Sequence, residues 1–411
     1  MSLKKCGARA AMLAAVIGLV LFYTGCGDYF RPVANPEPLP GGDPQRTAHA
    51  LVVSSNGSST GTAVLIDVTG DTNVATFSGD TFNVGRTPVH AAANGGTDYI
   101  VSRDDFSVAS FTLPLLGSPL IVSKTTLDSG GEPVFVAVAQ ARGFVAESAL
   151  GKVVDLTTSQ RITVGNAPVA MVATPDGTQL YVLNQGDNTV SVIFPATDQN
   201  IATLNLPAGA QPVWAAVSAD GTRVVVVNQG TSNLSVIDTV GDAIIAPGNP
   251  LSVGAGPNYI TYEATLNRFY VTSPVDNSLA IINNNVDANQ CALSPALCVQ
   301  KVSLAGAPCN AQHPISVTAL ADGSRAYVAD DLTNSVCVLN TTSNTFTKSI
   351  PVGTAPVFVV SDPDSNRVLT ANSVSGNVSI IQTSTDTPVA GNNGPLTIST
   401  GGTPTFIAIT P

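Results

Sequence analysis

The stretch Pro168–Gln211 reads PVAMVATPDG, TQLYVLNQGDN, TVSVIFPATD and QNIATLNLPAGAQ, four short pieces in which apolar residues alternate with polar ones. Period-two alternation rich in β-branched residues, with Gly, Asn or Asp closing the first three pieces, predicts four antiparallel strands joined by tight turns. Asp176-Gly177 marks the first turn, because glycine reaches positive φ without a Cβ clash.

The same unit recurs along the chain. Aligned on a proline followed by an alternating apolar segment, units start at Pro88, Pro133, Pro168, Pro212, Pro257, Pro314, Pro356 and Pro404, spaced by 45, 35, 44, 45, 57, 42 and 48 residues. The Asp-Gly turn returns at Asp220-Gly221 and Asp322-Gly323. The pairs Asp187-Asn188, Ser232-Asn233 and Thr333-Asn334 separate second from third strands, where their side-chain oxygens can bond nearby amides. The last unit holds only a first strand, PTFIAITP (404–411), while residues 48–87 open with a second strand, AHALVVSSN, and supply a third and fourth. Together they make one blade split between the termini, which removes the open sheet edge. An all-β propeller of eight four-stranded blades is expected over 48–411, or seven if the short unit 133–167 is degenerate.

The second strands YVLN (181–184), VVVN (225–228), YVTS (270–273) and YVAD (327–330), with third strands SVIF, SVID, AIIN and CVLN, resemble the YVTN-type β-propeller repeat of the lactonase-like propeller superfamily. The resemblance covers nearly all of 48–411 and implies an architecture rather than an activity, since the family includes surface and binding proteins.

Formal charge is -11, and only 11% of residues are charged. Without Lys4, Lys5 and Arg9 of the leader, 14 cations face 28 carboxylates. Nucleic acid is excluded as a partner, because binding a polyanion needs a basic stripe.

Met1–Arg9 is basic and Ala10–Phe22 is an apolar run of 13 residues, too short for a membrane span, so residues 1–25 are expected to be a secretory signal. Tyr23-Thr24-Gly25-Cys26 resembles the bacterial lipobox, with Tyr23 where Leu is usual, which implies lipidation of Cys26. Gly27 stands in place of the Asp that in this resemblance retains lipoproteins at the inner membrane, so outer-membrane display is expected. Residues 27–47 hold five prolines and suit an extended tether. With Cys6 lost and Cys26 acylated, Cys291, Cys298, Cys309 and Cys337 are disulfide candidates. A local Cys291–Cys298 bridge would staple the longest unit and leave Cys309 for Cys337; a zinc site with His313 is the alternative.

Two residues after the unit prolines stand His90, Phe135, Ala170, Trp214, Tyr259, Ser316, Phe358 and Phe406, five of them aromatic in a chain only 5% aromatic. Such rings either wedge between blades or line a channel mouth as a stacking surface. Charges that depart from the repeat are Arg103-Asp104-Asp105, Arg142, Glu147 and Asp330-Asp331. Lactonase-type propellers use carboxylate, Arg and His groups at one mouth, and His90, Arg142 and Glu147 supply those types. No CxxCH or HExxH motif occurs, so no cofactor and no metal is expected and no catalytic reaction is specified. The expected function is an extracytoplasmic, lipid-anchored, monomeric binding or surface-scaffold propeller for a protein or carbohydrate. A lactonase-like hydrolase and a periplasmic redox propeller are the alternatives.

Overall fold

The second strands are the most apolar pieces of the units, and the computed structural model places them where both sheet faces are covered: every residue of Leu180–Asn184 and of Arg367–Asn372 is buried. The structure describes residues 49–409 except 69–74, 94–95, 114–119, 246–250, 286–297, 363, 365 and 392–393. The signal, Cys26, the tether and Cys291 lie outside the described residues.

Eight antiparallel blades form a ring. Blades 1 to 7 open with the first strands Pro88–Ala92, Pro133–Ala139, Pro168–Ala173, Pro212–Val217, Tyr259–Glu263, Pro314–Ala319 and Pro356–Ser361. Blade 8 takes its innermost strand, Thr403–Ile409, from the C-terminal end and the other three, His49–Asn56, Ser59–Asp67 and Ala75–Arg86, from the N-terminal side. Ala50 pairs with Ile409 and Val53 with Phe406, so the split blade is closed by a ladder rather than by packing alone. The short unit 133–167 is a complete blade of four strands, which decides for eight over seven. The outermost strands of blades 4 and 7 differ from expectation. Each is broken into two pieces, Ala243–Ile244 with Leu251–Ser252 and Thr387–Pro388 with Thr397–Ser399, both pieces pairing with the same third strand. In blade 7 Pro388 has no N–H to continue the ladder, and the chain detours through the small hairpin Ala390–Gly391/Gly394–Pro395.

Local chemistry explains the turns. Gly177, Gly221 and Gly323 adopt φ of 68°, 70° and 70°, which close the first hairpin of blades 3, 4 and 6. At the next turn the residue ending the second strand acts as a brace. Asn184 donates to Thr189 and Ser191, Asn228 to Asn233 and Ser235, and Asn372 to Asn377 and Ser379, all at 2.8–3.0 Å.

Blades are tied to one another by a repeated clasp. The residue at the head of the second strand, or the tyrosine two further on, reaches the outer turn of the next blade. Gln179 and Tyr181 bond Asp242, Arg223 bonds Asn284, Arg268 bonds Thr341 and Asn344, and Arg325 and Tyr327 bond Thr383 and Asp386. Tyr181, Tyr270 and Tyr327 are wholly buried. Burial, together with an Asp carboxylate accepting the hydroxyls of Tyr181 and Tyr327, raises the pKa of all three phenols, so they remain neutral. Cys309 and Cys337 form a disulfide with Cα atoms 5.6 Å apart. Cys298 is also disulfide-bonded.

The clasp predicts a specific loss. Arg325→Ala removes charge-assisted bonds from a half-buried site and should lower stability by about 1–2 kcal/mol. Arg103→Ala, whose partner Asp104 is exposed, should change it by less than about 0.5 kcal/mol. Urea unfolding of both variants checks this; equal losses would show that the clasp contributes nothing.

Candidate functional site

Each first strand runs from its unit proline at one face of the ring to the first hairpin turn at the other, so the residue two after the proline lies near the axis just inside the proline-side mouth. The rings at these positions meet one another. His90 stacks on Phe135 at 3.7 Å and lies 4.2 Å from Phe406. Phe135 meets Trp214 at 5.3 Å, Trp214 meets Tyr259 at 5.0 Å, Tyr259 meets Phe358 at 5.4 Å, and Phe358 meets Phe406 at 4.3 Å. The circuit skips blades 3 and 6, where Ala170 and Ser316 are small and buried. That space lets Trp214 reach across the axis to within 6.4 Å of Phe406 on the opposite blade. The six side chains form an aromatic plug, neither wedged separately between blades nor spread around an open mouth. His90 is part of it. Its Nδ1 accepts a bond from the Val136 N–H at 3.4 Å, and burial pushes its pKa down to about 3.

The polar candidates do not converge. Arg142 and Glu147 stand at opposite ends of the strand Arg142–Glu147, and neither bonds His90. Arg142 pairs with Asp155 and Asp198 and donates to the Pro195 carbonyl, which makes it the blade 2 member of the inter-blade clasp rather than a departure from the repeat. Glu147 is fully buried, takes the brace position at the end of its strand and accepts the Asp128 N–H at 3.0 Å; burial raises its pKa. Asp330 accepts the amides of Gln312, His313 and Thr333 and the Thr333 hydroxyl, so it too organises turns. Asp104 and Asp105 tie the turn of blade 1 to Thr87 and Arg86 at the end of blade 8; the Arg86 guanidinium holds Asp105 down to about 2. Among the described residues no group of three or more His, Cys, Asp or Glu side chains is arranged to hold a metal.

The opposite mouth holds a recess that the repeat analysis passed over. It has a volume of about 400 Å3 and is lined by Tyr262, Glu263, Leu320, Ser361, Asp362 and Ile409, where the first strands of blades 5 to 8 end. Glu263 accepts the amides of Thr265 and Leu266 at 2.5 and 2.8 Å. Asp362 accepts the Asn366 amide at 2.7 Å with one oxygen, while its buried Oδ2 has no partner among the described residues. Burial pushes this carboxyl up to about 6. The signal was present in the sequence: six residues after the unit proline, Thr174 and Ser218 hold the turn by hydroxyls, and Glu263 and Asp362 put carboxyls there instead.

The plug predicts acid sensitivity. The folded-state pKa of His90, about 3, lies below the unfolded value of about 6.5, so the unfolded chain binds the proton first. The stability tied to neutral His90 is present above about pH 6.5 and is lost as pH falls toward 3, reaching about 2 kcal/mol by pH 5. The stability of His90→Phe relative to the parent should therefore rise by about that amount between pH 7.5 and pH 5, read by urea unfolding on the sole tryptophan, Trp214. A gap that does not change with pH would contradict a buried neutral imidazole.

Comparison with known proteins bears on the fold. A family model described as Lactonase, 7-bladed beta-propeller matches residues 208–395, less than half of the chain and roughly blades 4 to 7 of its eight. No curated protein matches the chain. Among solved structures, apo AztD from Citrobacter koseri is similar with a TM-score of 0.61 at 12% identity, covering 88% of this chain and 98% of that one. A putative 6-phosphogluconolactonase from Bacteroides fragilis gives 0.57 at 14% identity, with 90% and 100% covered. Virginiamycin B lyase from Staphylococcus aureus gives 0.53 at 15% identity, with 70% and 92% covered. At these identities the likeness is one of fold, and what it shows is that the chain is a β-propeller.

Proposed function

We propose that the protein is an extracytoplasmic binding propeller, anchored by lipid at Cys26 and tethered by residues 27–47, which presents its proline-side face to a protein partner. The observation that carries this reading is an arc of exposed aliphatic side chains on that face. Val275, Leu332 and Val374 occupy the same place in the turn between second and third strands of blades 5, 6 and 7, and are 72%, 61% and 73% exposed. Scattered surface aliphatics are ordinary; three at one repeat position in consecutive blades form a row along one face.

The turns beneath that arc are cross-tied. The Leu304 amide bonds the Asn277 carbonyl, the amides of Gln312 and His313 bond Asp330, and the Ala355 amide bonds Asn334. The loop 304–313 thus links the turns bearing Val275 and Leu332, and the Cys309–Cys337 disulfide staples it to blade 6. A pre-ordered surface loses little conformational freedom on binding. The disulfide also fits an oxidising compartment, and no helix among the described residues is long and apolar enough to cross a membrane. A protein is favoured over a carbohydrate because the rings that would stack on a sugar are engaged in the plug. The family-model match supports a second reading, a lactonase-like hydrolase, tested by turnover of simple lactones.

Photo-crosslinkers placed at positions 275, 332 and 374 of the full-length protein in its native envelope should trap one common protein. A crosslinker at Val240, which is 85% exposed on the opposite face, should not. Combined Val275→Asp, Leu332→Asp and Val374→Asp should abolish capture through a crosslinker at Ser373. Equal labelling from position 240, or capture that survives the triple substitution, would refute the reading.

A further inference from the structure

We propose that the outer edge of blade 3, the strand Gln199–Asn205, takes up an extended segment of another protein as a fifth strand, and that this segment carries a small apolar side chain flanked by Lys or Arg. The site is on the outer rim, on a blade that contributes nothing to the proline-side arc. Its occupant is a different protein from the one proposed there, and neither reading depends on the other.

The first argument is that this edge is unguarded. The outermost strand of every blade presents main-chain donors and acceptors, and proteins protect such edges with charge, proline, breaks or brevity. Blade 1 ends in four residues with Lys124, blade 2 in three with Arg161, blade 5 in Val299–Ser303 with Lys301, and blade 6 in Thr345–Pro351 with Lys348 and Pro351. The outer strands of blades 4 and 7 are broken into short pieces. That of blade 8, Ala75–Arg86, holds Asp80 and Arg86 and shifts register twice against its neighbour. Gln199–Asn205 reads QNIATLN, seven residues without a break, a charge or a proline.

The second argument is the direction of its main chain. The Leu206 amide bonds the Asn188 carbonyl at 2.9 Å, and the ladder continues through the pairs Leu204–Val190 and Ala202–Val192. Ladder bonds alternate along an antiparallel strand, so the main-chain groups of Ala202 and Leu204 face blade 3 and those of Thr203 and Asn205 face outward. No strand among the described residues pairs on that side, and both Thr203 and Asn205 are exposed. The extra residue in the strand is Ile201, between Asn200 and Ala202. Such a bulge re-aims a side chain, and Ile201 lines a groove beside the edge.

The third argument is that groove, about 580 Å3 between blades 3 and 4. Pro175, Phe194, Ile201 and Val240 give it apolar surface, and Ile201 and Val240 are 49% and 85% exposed. A strand laid about 4.8 Å from the edge sets alternate side chains beside Ile201. An open edge supplies main-chain bonds and an adjoining apolar groove supplies side-chain selection, the two parts of strand-addition recognition. Asp176 and Asp220 also line the groove, and no Lys or Arg does. Bonds from Thr174 and Thr178, and from Ser218 and Thr222, hold the two carboxyls below the ordinary range, so both are charged at neutral pH. Arg223 acts on Asp220, but its guanidinium extends to Asn284 of blade 5. A basic segment is therefore complementary, whereas a second copy of this chain would bring two acidic grooves together.

The probe is a capped peptide, TKTVTKT, whose valine and lysines share one face of an extended strand. Added to the mature protein at neutral pH, it should bind saturably and slow hydrogen exchange of the Thr203 and Asn205 amides at least tenfold. The acidic peptide TETVTET should bind at least tenfold more weakly. N-methylation of one alternating set of TKTVTKT amides should abolish binding and of the other set should leave it, because only one set faces the edge. Thr203→Pro removes an outward N–H and no ladder bond to blade 3, and should abolish binding. Should that variant fail to fold, Ile201→Lys, at an exposed position, should weaken binding at least tenfold with the melting temperature unchanged. No saturation, equal binding of the acidic peptide, equal loss from methylation of either set, or protection confined to another blade would each overturn the proposal. So would unaltered binding by folded Thr203→Pro or by Ile201→Lys, or a dimer in sedimentation that Ile201→Lys dissolves.

Discussion

The pairing of Thr403–Ile409 with His49–Asn56 holds the ring shut, and the rest of the structure depends on it because blade 8 is covered on both faces. Alternate residues of its strands serve opposite neighbours. Val52, Val64 and Ile66 pack with Leu369 and Ile380 of blade 7, whereas Leu51, Ala63 and Leu65 pack with Ile100 and Phe111 of blade 1. Period-two alternation, which on an ordinary sheet separates core from solvent, here separates one neighbour from the other. Without the closing strand, two apolar sheet faces and an inner edge would meet water together.

The same two-sidedness explains why so much of the fold was legible. Strand number, turn position and the split blade follow from a pattern that repeats, because each blade solves the same packing problem. The charged residues were harder to read. Arg142 looked exceptional beside Gln179, yet Arg223, Arg268, Arg325 and Arg367 occupy the same place at the head of the second strand. A long cation there spans the gap to the next blade's outer turn, and only the ring geometry shows which turn it meets. Glu147 and Asp330 were misleading for a related reason: the brace at the end of the second strand needs a polar atom, and Asn, Asp or Glu each supplies one with different partners.

The aromatic plug and the recess mark what the sequence could not disclose. Aligning on the prolines located all eight positions of the inner ring, but whether a side chain enters the gap between blades or the axis depends on how closely the first strands approach. Ala170 and Ser316 decide the outcome, since their small side chains leave the volume into which Trp214 extends. The recess combines Tyr262 and Glu263 of blade 5 with Asp362 of blade 7 and Ile409 of blade 8, residues far apart in sequence, so only closure of the ring unites them.

The two faces differ because stability is supplied between them. The clasp, the brace and the alternating core lie within the blades, so turns at either end can vary without opening the ring. On the proline side this freedom has gone into order. The loop 304–313 is bonded to two turns and stapled by Cys309–Cys337, which keeps exposed Val275 and Leu332 in place despite their unfavourable contact with water. On the other side Glu263 and Asp362 put carboxyls where Thr174 and Ser218 hold the corresponding turns of blades 3 and 4 by hydroxyls. Plugging the axis with rings separates the two ends, so that the two mouths communicate only through the blades themselves.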